Sequence, residues 1–174
     1  ELGVPFEILA AALAGFQGAE RRFERRGVVH GITVVDDYGH HPTEIAAVLA
    51  AARAAAPSRV VVAFQPHRFS RTAQLMPDFA AALAGADEVV LTDIYAAGEE
   101  PIPGVDVAAL AAAVDRRRTR PATVVRGLDR VAPTVAAMAA PGDLVITLGA
   151  GSIGGVAAQV VAELQRLHGP EAGS

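Results

Sequence analysis

Two rhythms of apolar residues share this chain. Short β-branched runs, "RVVVAF" (59–64), "EVVLTDI" (88–94), "ATVVR" (122–126) and "DLVITL" (143–148), are apolar on both faces and fit strands sandwiched between two layers. Between them apolar residues recur at helical spacing, which predicts helices over 42–56, 72–84, 106–118, 128–139 and 152–168. Upstream, "RRFERRGVVHGITVVDD" (21–37) reads as two short strands turning at Gly27 or Gly31, and "PFEILAAALAGF" (5–16) is helical in spacing but outside the beat. Strand and helix in turn predict an α/β fold. It is a Rossmann-like, doubly wound, mostly parallel sheet with helices on both faces, beginning near residue 30.

In such sheets ligands bind beyond the carboxyl ends of the strands, where loops feed helix N-termini. The unusual residues of this chain collect there: "DDYGHH" after the first core strand, "QPHRFSR" (65–71) after the second, "DIYAAGEEPIPG" (93–104) after the third and "GAGSIG" (149–154) after the last. The connections at the other edge, "AAAPS", "AGAD" and "AAPGD", are bland turns. One edge of the sheet therefore carries the chemistry.

Composition narrows that chemistry. With 174 residues the chain builds one main domain, and its net charge of −4 gives no reason to expect a nucleic-acid partner. No apolar run reaches the length of a membrane span, and the first residues lack a basic start followed by an apolar core, so a cytoplasmic location without membrane contact is expected. The absence of cysteine excludes a thiol nucleophile and thiolate metal ligands. All 15 basic residues are arginine, so the chain has no lysine for a phosphate loop, a Schiff base or a carbamate.

Each strand-end cluster has a plainer reading beside the functional one. "GAGSIG" has the G-x-G-x-x-G spacing, but no further strand–helix–strand unit follows to supply a ribose-binding acid. It reads better as an anion-receiving helix start or a close strand-to-helix turn than as a dinucleotide site. His40 and His41 beside Asp36 and Asp37 lack the spacing of a metal cluster, and no metal site is expected. Arg68 and Arg71, one helical turn apart next to His67, make a carboxylate or phosphate clamp; the plain reading is a solvated helix entry. Arg116, Arg117, Arg118 and Arg120 read as a helix end satisfying the dipole.

In this order and near these spacings, "DDYGHHPTEI", "FQPHRFSRT", "LTDIYAAGEEPIPGV" and "GDLVITLGAGSIG" resemble the C-terminal domain of the UDP-N-acetylmuramate–L-alanine ligase branch of the Mur ligase family. "FQGAERRFERRG" resembles the passage from that family's central domain, so the resemblance covers nearly the whole chain. It implies that residues 1–25 are the tail of an absent central ATPase domain and its linker, 26–168 the C-terminal domain and 169–174 a disordered tail. It further implies a fragment of a ligase whose other domains hold the UDP-sugar, the phosphate loop and a carbamylated lysine, and which is inactive alone. The ligase of murein-tripeptide recycling shares the first motif and is the runner-up. A non-catalytic small-molecule-binding α/β module and a protein-interaction domain are the readings from other classes.

In that family ATP converts a lactyl carboxylate to an acyl phosphate, which the amine of L-alanine attacks. Carried onto the matching positions, the resemblance implies that Arg68 and Arg71 hold the L-alanine carboxylate and soften charge on the departing phosphate. His40 orients or deprotonates the amine, Tyr38 walls the methyl pocket, and Gly39 lets the backbone approach. Asp37 and Arg22 take the ATP side, with Tyr95, Gly98 and Ser152 on neighbouring loops as weaker candidates. The implied partners are L-alanine, ATP and UDP-N-acetylmuramate, the last bound mainly by absent domains. The implied cofactors are ATP and Mg2+ in the complete enzyme, with none held tightly by this chain.

Overall fold

A computed structural model of the protein describes residues 21–55 and 57–169. The expected helix at 5–16, most of the expected linker (1–25) and most of the expected tail (169–174) lie outside the described residues. The β-branched runs form strands β1 (Glu24–Val29), β2 (Ile32–Asp37), β3 (Arg59–Phe64), β4 (Glu88–Thr92), β5 (Thr123–Val125) and β6 (Asp143–Leu148). They make one sheet in the order β1-β2-β6-β3-β4-β5, parallel throughout except for β1 against β2. The helices are α1 (Pro42–Ala54), α2 (Phe69–Gln74), α3 (Met76–Leu83), α4 (Val107–Asp115), α5 (Val131–Met138) and α6 (Val156–His168).

Strand period two sends alternate side chains to opposite faces, and here both faces are buried. Val60, Val62 and Phe64 of β3 meet Ile45 and Leu49 of α1, Phe79 and Leu83 of α3 and Leu110 of α4, with the Phe64 and Phe79 rings 5.5 Å apart. Val61 and Ala63 face Val135 of α5 and Val160 and Leu164 of α6. Each fully buried aliphatic or aromatic side chain contributes about 1.5–3 kcal/mol relative to exposure, so two such cores hold the three layers together.

Three local departures from the sequence pattern have simple causes. The hairpin turns at His30 and Gly31, both at positive φ, whereas Gly27 pairs with Val34 just after Arg26, the extra residue at which the β1–β2 register slips into a bulge. The single helix expected at 72–84 starts earlier and is two, broken at Leu75, because Pro77 has no N–H to donate and can only begin a helix. The helices expected to start at 128 and 152 begin as 3-10 turns, Leu128–Arg130 and Ser152–Gly155, before α5 and α6.

The sheet order positions the site. The chain leaves β6 for α6 on one face and leaves β3 for α2 and α3 on the other, so a crevice opens where β6 lies beside β3. The ladder runs past the strand ends there: the Gln65 N–H donates to the Leu148 carbonyl (3.1 Å) and the Gly149 N–H to the Asp37 carbonyl (3.2 Å). The loops after β2, β3 and β6 are thereby tied side by side.

Candidate active site

Beneath the crevice a buried polar floor sets the loops. Asp36 is fully buried at the end of β2 and accepts from Arg21 Nε (2.7 Å) and from Thr147 Oγ1 of β6 (2.6 Å). Arg21 also donates to the Gly149 carbonyl (2.7 Å) and lies 5.4 Å from the Tyr38 ring. Asp37, placed by the resemblance on the ATP side, has both carboxylate oxygens engaged by main-chain N–H groups, those of Phe23 and Gly39, each at 2.7 Å. Its neighbour Arg22 is half exposed, 3.8 Å from Glu44 and with its guanidinium 5.9 Å from the centre of the Tyr38 ring.

Gln65, directly after β3, organises "GAGSIG". Its Oε1 accepts from the Ile153 N–H (3.1 Å), and its side chain exchanges hydrogen bonds with the Ser152 hydroxyl at 3.3 Å. A Cβ on Gly151 would lie 2.7 Å from both Gln65 Oε1 and the Tyr95 ring, so close packing is what that glycine serves. The plain reading, a close strand-to-helix turn, describes this loop.

Above the floor four rings stand in a row across the strand ends. Tyr38 and His40 are 5.2 Å apart edge to face, His40 and His67 5.7 Å, and His67 and Tyr95 5.4 Å and stacked. Burial, then the charges of Arg71, His40 and Arg68, push the His67 imidazole below its ordinary value, so it is neutral at neutral pH. Beside the row, His41, His67, Arg68, Ser70, Arg71, Gln74 and Leu75 line an open cavity of about 480 Å³. One Arg71 terminal nitrogen and His67 Nδ1 are buried with no hydrogen-bond partner among the described residues. Unmade hydrogen bonds of that kind cost about 1–3 kcal/mol each, which a ligand oxygen can recover.

Arg68 holds a strained backbone, φ 73° and ψ 137°, a region that side chains other than glycine rarely adopt. It is pinned by its N–H to the Tyr95 carbonyl (2.8 Å) and by its carbonyl accepting from the Thr72 N–H and hydroxyl. Its side chain is half exposed and 3.7 Å from Glu99, which also accepts from the Ser70 N–H (2.9 Å) and hydroxyl (2.6 Å). Arg68→Gly relieves that strain, so it is expected to melt higher than Arg68→Ala by the equivalent of about 1 kcal/mol. Equal melting temperatures for the two variants would show the backbone to be unstrained.

The structure thus brings Tyr38, His40, Arg68 and Arg71 to one edge, with Arg22 and Asp37 at its β2 end. Gly39 is held by Asp37, Ser152 by Gln65, and Gly98 shapes the β4–α4 loop at φ 84°. Arg21, Glu44, Gln65 and Glu99 were not singled out from sequence. Glu44 had a signal, since "HPTE" has capping-box spacing with histidine at the cap, and both bonds of that box form. A larger cavity, about 570 Å³, lies at the opposite edge among Arg59, Arg117, Arg118 and Arg120. There Arg118 donates to the carbonyls of Asp87 and Arg120 while Arg59 and Arg120 pair with Glu88, contacts that tie the segment after α4 to the start of β4 instead of to the helix end. Among the described residues no three His, Asp or Glu converge where they could hold a metal ion, and no helix is long and apolar enough to cross a membrane.

Known proteins resemble this chain in sequence and in fold. The profile of the family described as "Mur ligase, glutamate ligase domain" matches residues 21–151. The UDP-N-acetylmuramate–L-alanine ligase of Paramagnetospirillum magneticum is 45% identical over 99% of this chain and 36% of its own length. That of Anaeromyxobacter dehalogenans is 51% identical over 95% of this chain and 36% of its own length. The chain thus spans about a third of these relatives. Among solved structures, the UDP-N-acetylmuramate–alanine ligase of Thermotoga maritima superposes with TM-score 0.68 at 28% identity, covering 95% of this chain and 35% of that one. A murein peptide ligase of Psychrobacter arcticus gives TM-score 0.68 at 25% identity, covering 94% and 34%. The chain belongs to the Mur ligase family, as its glutamate ligase domain.

Proposed function

We propose that residues 26–168 are the amino-acid-binding C-terminal domain of an ATP-dependent ligase that joins L-alanine to UDP-N-acetylmuramate in peptidoglycan synthesis, with residues 1–25 leading from a central ATPase domain. The observation that carries this is the cavity in which a buried, unpartnered Arg71 nitrogen stands beside Arg68 and a neutral His67, with His40 next in the ring row. The printed names of the sequence relatives supply the substrates. Such a ligase works on ATP and a UDP-sugar, which places it in the cytoplasm.

In this reading the amino-acid carboxylate enters the cavity and takes the Arg71 fork, with Arg68 closing from the solvent side. The ammonium then faces His40, which accepts one proton and frees the nitrogen lone pair to attack an acyl phosphate delivered from outside this domain. Tyr38 limits the space for the side chain, and Arg22 offers its half-exposed guanidinium to phosphate oxygens. Mg2+ would enter with ATP, in the complete enzyme.

Phosphate release from ATP and UDP-N-acetylmuramate tests the reading. The complete ligase is expected to show release that depends on L-alanine, while the 174-residue chain, which has no lysine, shows none. Dependence on the L-alanyl-γ-D-glutamyl-diaminopimelate tripeptide instead would assign the recycling activity. No dependence on either would leave a binding module.

A further inference from the structure

His40 Nδ1 lies 3.2 Å from the Tyr38 carbonyl oxygen and 3.5 Å from Glu44 Oε2. Both neighbours accept, so Nδ1 carries the hydrogen in the neutral ring, and the lone pair is left on Nε2. Free histidine prefers the other tautomer. The carboxylate is itself immobilised: the same Oε2 accepts from the backbone N–H groups of His40 (2.9 Å) and His41 (3.1 Å), which lock it to the first turn of α1. Burial pushes the Glu44 carboxyl up, but those two N–H groups and the charges of His40 and Arg22 bring it below its ordinary value, so it is charged at neutral pH.

We propose that Glu44 is a positioning residue for His40. With the Tyr38 carbonyl it holds the Nδ1–H tautomer, presents Nε2 as the base, and stabilises the imidazolium formed when Nε2 takes a proton from the amino-acid ammonium. The remaining groups facing His40 fit this division of labour. Tyr38 meets it edge to face, Arg22 lies beyond Glu44 on the far carboxylate oxygen, and His67 across the crevice stays neutral beside Arg71 and Arg68. Glu44 is therefore the charged group in direct contact with the His40 ring, at Nδ1. The catalytic half of the inference rests on the alanine-ligase reading; the tautomer does not.

Two measurements test it. In long-range proton–nitrogen spectra of the 15N-labelled 174-residue chain, above the pH at which its histidines titrate, His40 is expected to be Nδ1–H by roughly 10 to 1, with His40→Gln giving the assignment. A predominantly Nε2–H ring overturns the proposal whatever the ligase joins. In the complete ligase Glu44→Gln keeps an oxygen acceptor for both backbone N–H groups and removes only the charge. A unit charge at this distance is worth about tenfold even at the dielectric of water, so kcat for L-alanine is expected to fall about tenfold with KM within about twofold. An unchanged kcat overturns the positioning role, whereas no alanine-dependent turnover in the unaltered ligase overturns the parent reading and leaves the tautomer result standing.

Discussion

Arg71→Lys in the complete ligase is expected to lower kcat/KM for L-alanine about 10- to 100-fold, because an ammonium cannot reproduce the planar fork and the lost charge-assisted hydrogen bond is worth about 1.5–3 kcal/mol. Arg71 is the stronger of the two clamp residues. One of its terminal nitrogens is buried without a hydrogen-bond partner among the described residues, whereas Arg68 is half exposed and already shares the Glu99 carboxylate. Arg68→Lys should therefore cost less, about threefold, in line with the small worth of exposed ion pairs. KM for UDP-N-acetylmuramate should move less than about twofold in both, since that ligand belongs to another domain. Steady-state kinetics with each substrate varied in turn separates these effects. If Arg71→Lys leaves alanine kinetics unchanged, the cavity beside it is not the carboxylate subsite.

The sheet was legible in the sequence because its strands are buried on both faces and so advertise themselves as unbroken β-branched runs. β3, Arg59–Phe64, and β6, Asp143–Leu148, match the pattern residue for residue. The candidate edge was legible because histidines, glycines and the Arg68–Arg71 pair gather in the loops that follow the strands, where loops are free to vary. Turn chemistry was less so. Gly27 and Gly31 look alike in one dimension, and the register of β1 against Val34 and Val35 decides which turns and which flanks the bulge. Arg21 and Arg22 are likewise equivalent in sequence. They diverge because Asp36 and the Gly149 carbonyl, supplied by strands remote along the chain, capture Arg21 and leave Arg22 half exposed. Gln65 gave no signal at all, because its role exists only once the loop after β6 lies beside the end of β3.

Asp36→Ala is expected to be among the most destabilising single changes at this edge. Its carboxylate is fully buried and satisfies Arg21, Thr147 and, at 3.6 Å, Arg26; truncation leaves a partly buried guanidinium with only the Gly149 carbonyl and a buried hydroxyl without its acceptor. Breaking one side of such a pair costs about 3–5 kcal/mol, which corresponds to a melting temperature lower by about 10 °C or more for a domain of this size. Asp36→Asn keeps an acceptor for Thr147 and loses only the charge, so it should fall about midway. Arg21→Ala should cost a similar amount, because it leaves the fully buried Asp36 carboxylate with only Thr147 and, at 3.6 Å, Arg26 to balance its charge. In a double-mutant cycle the two changes should couple by about 1–3 kcal/mol, as neighbours in one network do. The loss is not confined to stability. Arg21 ties the Asp36 carboxylate to the Gly149 carbonyl and lies 5.4 Å from the Tyr38 ring, so releasing it loosens the loops after β2 and β6 together. Thermal melts of the 174-residue chain decide the matter: an Asp36→Ala variant melting within about 2 °C of the unaltered chain would mean that the buried pair contributes nothing beyond its own desolvation.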